Sequence, residues 1–187
     1  MKPPGNDCLD VLVVGAGQSG LAVAWHLARD GSRFVVVDAA TELGHAWRGR
    51  WDSLRLFSPS QYDGLPGMDF PAPTDTYPTK DQVADYLAAY AATFDLPVLL
   101  NCRVIRLERL DDRFAVHTSQ GTLRARQVVI ATGAFQQPVI PPLATGLPHT
   151  VVQLHSADYR NPTQLPDGPV VVVGAGNSGL QIAAELA

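Results

Sequence analysis

Apolar residues near the start of the chain form two short uninterrupted runs with a helical repeat between them. The runs Leu9–Val14 and Phe34–Val37 are continuous and rich in valine, a pattern typical of strands buried on both faces of a parallel sheet. Between the runs, apolar residues recur at helical spacing until Gly31, where the glycine predicts the end of the helix. Strand, helix and strand within about 30 residues predict one βαβ unit with a right-handed crossover.

The next part of the chain changes from an aperiodic segment to a second helix. Residues 41–78 carry no long periodic pattern, and loops of this length in a compact domain are usually functional. The stretch PTKDQVADYLAAYAATFDL then predicts a helix with Thr79 as its N-cap and an end before Pro97. Core packing is predicted for Trp25, Val83, Tyr86, Leu87 and Tyr90.

Beyond this helix the hydrophobic period changes to two. Residues 102–127 predict three short antiparallel strands, a β-meander, with tight turns at Asp111–Asp112 and Gln120–Gly121. The following VVIATGA predicts a separate buried strand of parallel type that ends in a glycine turn at Gly133. Arginines alternate with acidic residues along the meander, which indicates a solvated sheet face.

Composition and charge exclude several classes of protein. Hydrophobic residues make up 46% of the chain and charged residues 17%, as in ordinary globular proteins. A net charge of −4 gives no reason to expect binding to nucleic acid or to an anionic membrane, and the sequence contains no apolar run long enough to span a bilayer. Cys8 and Cys102 lie far apart without a CxxC pattern, so we expect incidental thiols in a reducing cytoplasm.

The sequence GAGQSG stands directly after the first predicted strand and before the first helix. Gly15 permits a tight turn, Gly17 lets the backbone approach a pyrophosphate, and Gly20 allows close packing of helix on strand. The helix N-terminus offers unpaired N–H groups to phosphates. Asp38 ends the second strand, where a carboxylate can accept hydrogen bonds from a ribose diol. The glycine turn, the helix start and the acidic residue, in this order along the chain, predict a dinucleotide-binding site.

A second glycine turn, GAGNSG at 174–179, stands near the end of the chain. Residues 138–168 predict a proline-rich connector, and VVVV at 170–173 predicts a new buried strand before this turn and its helix. Only the first part of a second βαβ unit is present, so we expect the sequence to be the N-terminal part of a longer protein. The alternative is a naturally short protein whose last helix completes the fold.

These motifs resemble the two-dinucleotide flavoprotein fold of the glutathione reductase type: two GxGxxG turns, a β-meander between them and the ATG turn at 131–133. The stretch LGHAWRGRWDSLRLFSPSQYDGLPGMDFP is similar to the loop after the first βαβ unit in flavin-containing monooxygenases, more narrowly their bacterial and YUCCA-like group. LHSADYRNP resembles the HSxxY part of the monooxygenase identifying sequence. Two roles are open for His155 of this segment: a functional role in the cofactor site, or a structural hydrogen bond in the connector.

The resemblance implies an α/β fold with an FAD-binding Rossmann domain and meander at 1–140, a connector at 141–168, and the first strand and helix of an NAD(P)H-binding domain at 169–187. For the ADP part of FAD it implies Gly15, Gly17, Gln18, Ser19, Gly20 and Asp38. Trp47 and Arg48 would lie along the flavin or its ribityl chain, and Val104 would offer its backbone to adenine. The residues that would close over the pyrophosphate are Ala131, Thr132 and Gly133. The residues that would receive NADPH are Gly174, Gly176, Asn177, Ser178 and Gly179.

The function implied by the resemblance is that of a flavin-dependent monooxygenase. Hydride would pass from NADPH to FAD, and O₂ would then be activated as a C4a-(hydro)peroxyflavin to oxygenate a small-molecule substrate. Because the cofactor carries this chemistry, we expect no catalytic acid–base triad. No spacing of cysteine, histidine and carboxylate residues suggests a metal site. Two alternatives stay open: a flavoprotein reductase or dehydrogenase on the same fold, and a truncated, inactive nucleotide-binding fragment.

Overall fold

The chain folds around one mixed sheet with helices against it. The structure is a computed structural model that describes residues 8–187, so residues 1–7 of the predicted first domain lie outside the described residues. The strands are β1 Leu9–Val14, β2 Phe34–Val37, β3 Val98–Leu99, β4 Val104–Leu110, β5 Arg113–Thr118 and β6 Gly121–Ile130. The helices are α1 Gln18–Arg29, α2 His45–Arg48, α3 Lys80–Thr93 and α4 Asn177–Leu186.

The sheet has the strand order β3-β2-β1-β6-β5-β4, and β1 lies near its centre. Parallel pairing joins β1 to β2 on one side and to β6 on the other, with Val13 opposite Val36 and Val129. Both faces of β1 are covered, because Leu12 and Val13 are completely buried although their side chains point to opposite sides. The predicted first βαβ unit is therefore confirmed, and the glycine turn after β1 lies at the carboxyl edge of the parallel strands.

The third strand of the meander and the strand predicted after it are one element. Ten-residue β6 runs from Gly121 to Ile130 without a break, so the prediction of two separate strands was wrong. Its residue Ala125 pairs with Phe114 of antiparallel β5 on one edge and with Leu9 of parallel β1 on the other. A strand has two hydrogen-bonding edges, and no turn residue interrupts β6, so one strand serves both partners.

The two meander turns follow the sequence closely. The first turn is confirmed, since β4 ends at Leu110 and β5 begins at Arg113. The second lies one residue earlier than predicted, because Thr118 already pairs with Gly121 and leaves residues 119–120 as the turn. Gly121 takes the positive φ of +115°, a conformation that costs glycine little.

Helix α3 begins and ends where the sequence predicts. The Thr79 hydroxyl accepts the Gln82 N–H at 3.3 Å and the Gln82 side chain accepts the Thr79 N–H at 2.8 Å, which completes a capping box. The helix buries Val83, Tyr86, Leu87 and Tyr90 in a core shared with α1 and β1, as predicted, and half-buried Trp25 packs against this core.

We expect Tyr90→Phe to lower the free energy of unfolding by about 1 kcal/mol, because the buried hydroxyl donates to the Pro66 carbonyl at 2.7 Å. Burial, with a smaller contribution from Tyr86, raises the pKa of Tyr90 from 10.0 to about 12. The stabilisation by neutral Tyr90 is thus complete below pH 10 and is lost as the pH rises towards 12. Urea unfolding at neutral and alkaline pH measures both effects. Tyr62→Phe at an exposed tyrosine is the control, and equal stability of Tyr90→Phe and the parent would contradict the prediction.

The valine run at 170–173 does not form the predicted strand. It is irregular, and Val171 and Val173 are 84% and 67% exposed. An isolated strand leaves its backbone groups unpaired, and no strand among residues 8–187 lies beside this run to pair with it. Helix α4 forms directly after it, as predicted. In the part of the chain that the structure describes, no helix has the length and apolar character needed to cross a membrane.

Candidate dinucleotide-binding sites

The first glycine turn is closed tightly on its inner side. Gly15 has a φ of +105°, and its N–H donates to the Val37 carbonyl at 2.8 Å, which ties the turn to the end of β2. A Cβ on Gly15 would lie 2.8 Å from the Ala131 carbonyl carbon, and a Cβ on Gly20 would overlap the Gly15 carbonyl oxygen. Both positions therefore require glycine for steric reasons.

The outer side of the same turn is open. Gly17 is exposed, and no atom lies within 4 Å of the position that a Cβ would take there. Helix α1 starts after Gly17 with no side chain capping it and no acidic residue in its first turn. Its first N–H groups and the positive end of its dipole are therefore available to an anion. A pyrophosphate fits this arrangement of open backbone and uncapped helix.

Asp38 is held at the end of β2 by two backbone N–H groups. Its Oδ2 accepts the Ala16 N–H at 2.6 Å and its Oδ1 accepts the Ala40 N–H at 2.8 Å. Each carboxylate oxygen has more than one acceptor direction, so both oxygens can still receive ribose hydroxyls. The carboxylate also fixes the first turn through Ala16, a structural role that the sequence analysis missed.

The residues predicted to close over the pyrophosphate lie against the first turn. The Ala131 N–H donates to the Val14 carbonyl at 2.8 Å, which continues the pairing of β6 with β1. Gly133 takes a φ of +76° in the turn that follows. The Thr132 carbonyl accepts a hydrogen bond from the Gln136 side chain at 2.6 Å.

Val104 begins edge strand β4 close to Asp38. The Cys102 N–H donates to the Asp38 carbonyl at 2.8 Å. Cys102 lies two residues before Val104, so the start of β4 is close to the candidate ribose-binding residue. The structure thus brings Asp38, Val104 and the first glycine turn to one end of the sheet. Their roles in cofactor binding stay predictions.

Trp47 and Arg48 lie on the short helix α2 but have different surroundings. The Trp47 Nε1–H donates to Gln18 Oε1 at 3.4 Å, so the indole lies beside the first glycine turn. The Arg48 guanidinium instead binds Asp85 of α3 at 2.7 Å, and this hydrogen bond raises the pKa of Arg48. The Arg48 carbonyl accepts a hydrogen bond from the buried Lys80 ammonium at 3.2 Å, a contact that no sequence pattern indicated. Trp47 therefore borders the candidate site, while the charge of Arg48 is paired with the Asp85 carboxylate on α3.

The second glycine turn repeats the geometry of the first. The N-cap residues Gly17 and Gly176 have φ/ψ of −77°/−175° and −78°/176°. Gly174 has a φ of +115°, and a Cβ on Gly179 would overlap the Gly174 carbonyl oxygen. Helix α4 also starts without a capping side chain. Asn177 and Ser178 open this helix as Gln18 and Ser19 open α1, so the chain presents two uncapped helix starts of the same form.

The HSADY segment forms a turn that anchors the connector to α4. The His155 carbonyl accepts the Tyr159 N–H at 3.1 Å, and His155 Nδ1 accepts the Ala157 N–H at 3.1 Å. His155 thus makes a structural hydrogen bond. Buried Tyr159 donates its hydroxyl to Glu185 at 2.7 Å, and burial together with this contact raises the pKa of Tyr159 to about 12.

The parallel strands, the glycine turn after β1 and the acidic residue after β2 define a dinucleotide-binding fold of the Rossmann type. A family model described as pyridine nucleotide-disulphide oxidoreductase matches residues 12–187. The chain belongs to this family.

The relatives confirm the resemblance to flavin-containing monooxygenases. The flavin-containing monooxygenase from Stenotrophomonas maltophilia matches with a TM-score of 0.89 and 39% identity over 96% of this chain and 55% of that protein. An uncharacterized CzcO-like oxidoreductase of Geobacillus kaustophilus is 49% identical over 95% of this chain and 51% of its own length. A probable indole-3-pyruvate monooxygenase, YUCCA7 of Arabidopsis thaliana, is 35% identical over 94% of this chain and 43% of its own length.

These matches confirm the predicted α/β dinucleotide-binding fold. The chain spans about half the length of the curated relatives that it matches.

Proposed function

We propose that this chain supplies the FAD-binding region and the start of the NADPH-binding region of a flavin-dependent monooxygenase. The observation that carries the proposal is the pair of glycine turns with matching N-cap geometry, each followed by a helix without a capping side chain. The 39% identity to a flavin-containing monooxygenase over nearly the whole chain supports the oxygenase class over other flavoproteins.

In this proposal each part of the first site has a distinct task. The N–H groups that follow Gly17 bind the pyrophosphate, and Asp38 accepts hydrogen bonds from the adenosine ribose. Trp47 stands beside Gln18, where its indole can shield the cofactor from water on one side. The second turn at 174–179 receives the pyrophosphate of NADPH in the same way.

When bound, the two cofactors supply hydride transfer and activation of O₂, and the protein positions, shields and tunes them. We propose a small molecule with a soft nucleophile, such as an amine or a sulfide, or with a reactive carbonyl as the substrate. NADPH as the hydride donor and a cytoplasmic location are parts of the same proposal.

The first test is the visible absorption spectrum of the purified chain after incubation with FAD and desalting. Retained flavin absorbance is the expected result, because the first turn, Asp38 and residues 131–133 are all present. A colourless protein with no saturable FAD binding in a fluorescence titration would overturn the proposal for this chain.

A second measurement separates the oxygenase from the reductase on the same fold. The loaded protein is mixed with NADPH under air and under nitrogen, with an amine, a sulfide or indole-3-pyruvate as the trial substrate. Oxygen-dependent formation of an oxygenated product supports the monooxygenase. Reduction of an artificial electron acceptor without any oxygenated product favours the reductase or dehydrogenase.

A further inference from the structure

One side chain of α4 pairs with a peptide group far away in the sequence. The Arg55 N–H donates to Gln181 Oε1 at 3.2 Å, and Gln181 Nε2 donates to the Arg55 carbonyl at 2.9 Å. The glutamine amide thus binds both polar groups of one backbone residue, across 126 positions of sequence.

The backbone around Arg55 is itself fixed to the start of α3. The Leu56 N–H donates to the Pro78 carbonyl at 2.8 Å, and the Lys80 N–H donates to the Leu54 carbonyl at 3.1 Å. These bonds make an antiparallel bridge of Arg55 with Thr79 in which Arg55 uses neither its N–H nor its carbonyl. Both groups therefore face the opposite edge, where Gln181 binds them.

An apolar cluster beside this contact joins the two glycine turns. Trp51, Leu54, Tyr159 and Ile182 are buried together, and Trp47 packs against them. Trp47 also reaches Gln18 of the first turn, while Ile182 belongs to the helix that begins at the second. This packing turns the Ile182 face of α4 inward, and the Tyr159 hydroxyl ties Glu185 of α4 to the connector, but neither contact joins α4 by a hydrogen bond to the Arg55 loop. The hydrogen bonds of Gln181 are directional.

We propose that Gln181 is a positioning residue that fixes the direction of α4, and with it the second glycine turn, relative to the first turn. The inference rests on the proposed function, because the purpose of this alignment is to present the nicotinamide to the flavin. Since Gln181 binds the backbone of residue 55, the contact does not depend on the arginine side chain, which binds the Tyr77 carbonyl.

The matched control is Gln61, whose amide also makes two hydrogen bonds to one residue, within a single loop. Gln61 Nε2 donates to the Asp75 side chain at 2.8 Å, and the Asp75 N–H donates to Gln61 Oε1 at 2.9 Å. Gln61→Leu therefore removes two side-chain hydrogen bonds, one of them to a carboxylate, without touching α4. Gln181→Glu keeps the acceptor for the Arg55 N–H but sets a carboxylate oxygen against the Arg55 carbonyl, so it should disturb α4 at least as much as Gln181→Leu.

The test measures distances between spin labels on exposed positions of α1 and α4, at His26 and Leu180, by pulsed dipolar spectroscopy. It uses the full chain in a Cys8→Ser background, because Cys102 is buried. We expect Gln181→Leu to broaden the distance distribution and Gln61→Leu to leave it unchanged. An unchanged distribution in Gln181→Leu would overturn the proposal.

A second readout uses the cofactors. We expect Gln181→Leu to weaken NADPH binding by about tenfold, less than the full effect of two hydrogen bonds because neither bond is made to the nucleotide, with FAD affinity unchanged. Equal loss of FAD and NADPH affinity would indicate general destabilisation and contradict a positioning role. If the parent chain binds neither nucleotide, the proposed function fails, and the distance measurement still decides the role of Gln181.

Discussion

Gly20→Ala is expected to abolish FAD binding and to lower the free energy of unfolding by about 3 kcal/mol. An alanine Cβ at this position would overlap the Gly15 carbonyl oxygen and lie 3.0 Å from its carbon. Both atoms belong to the backbone of a turn that is hydrogen-bonded to β2, so a side-chain rotation cannot relieve the clash. Helix α1 would have to move away from β1, which opens the core and displaces the N–H groups proposed to bind the pyrophosphate. Urea unfolding and FAD fluorescence titration measure the two losses.

Two other glycines provide the controls for this substitution. Gly17→Ala meets no atom within 4 Å and keeps an allowed φ, so we expect it to cost less than about 1 kcal/mol of stability. It should nevertheless weaken FAD binding, because the new methyl group occupies the open side of the turn. Gly146→Ala lies in the connector with no close neighbour and should change neither quantity. Parent-like FAD binding by Gly20→Ala would show that the turn is not the cofactor site.

Asp38→Ala is expected to lower both stability and FAD affinity. The substitution leaves the Ala16 and Ala40 N–H groups without their carboxylate acceptor, and each of those bonds is assisted by a full charge. We expect a loss of about 2 kcal/mol in the free energy of unfolding. FAD affinity should fall by about 10- to 100-fold, because the ribose acceptor is removed at the same time. The measurements are urea unfolding and FAD titration of the same preparations.

Asp38→Asn and Asp10→Ala separate the two roles of the carboxylate. Asparagine keeps one oxygen acceptor, so we expect it to retain part of the stability and to bind FAD more weakly than the parent. Asp10 accepts the Arg33 N–H at 3.0 Å at the opposite end of the same two strands. Its replacement by alanine should leave FAD affinity unchanged. If Asp38→Ala binds FAD as tightly as Asp10→Ala, Asp38 has no part in ribose binding.

The local features of this chain could be predicted because each depends on neighbouring residues. The capping box fixes the start of α3 through residues three positions apart. The strands β1 and β2 follow from continuous apolar runs, and Gly31 takes the positive φ that ends the first helix region. The long loop after α2 could be predicted as a loop, but nothing in its sequence indicated that Arg55 would bind Gln181.

The candidate site likewise combines features that could be predicted from the sequence with contacts that could not. Its glycines were identified correctly as turn residues, since their steric requirement is visible in the spacing alone. The partners of charged and polar side chains could not be read from the sequence. That Arg48 lies along the flavin or its ribityl chain stays a prediction, and no sequence pattern indicated that its guanidinium would bind Asp85 on α3. Asp38 was expected to serve a ligand, and it also holds the Ala16 backbone.

The sequence by itself determined the two glycine turns. They have the same backbone form, although the strand before the first is paired on both edges and the valines before the second are unpaired. A turn that only glycine permits is decided by sterics within a few residues. Tertiary structure alone decided that β6 pairs with both β1 and β5, that residues 170–173 do not form a strand, and that Gln181 joins α4 to the loop at Arg55. Strand pairing and side-chain contacts of this kind need a partner that lies distant in sequence, and only the folded chain determines which partner comes close.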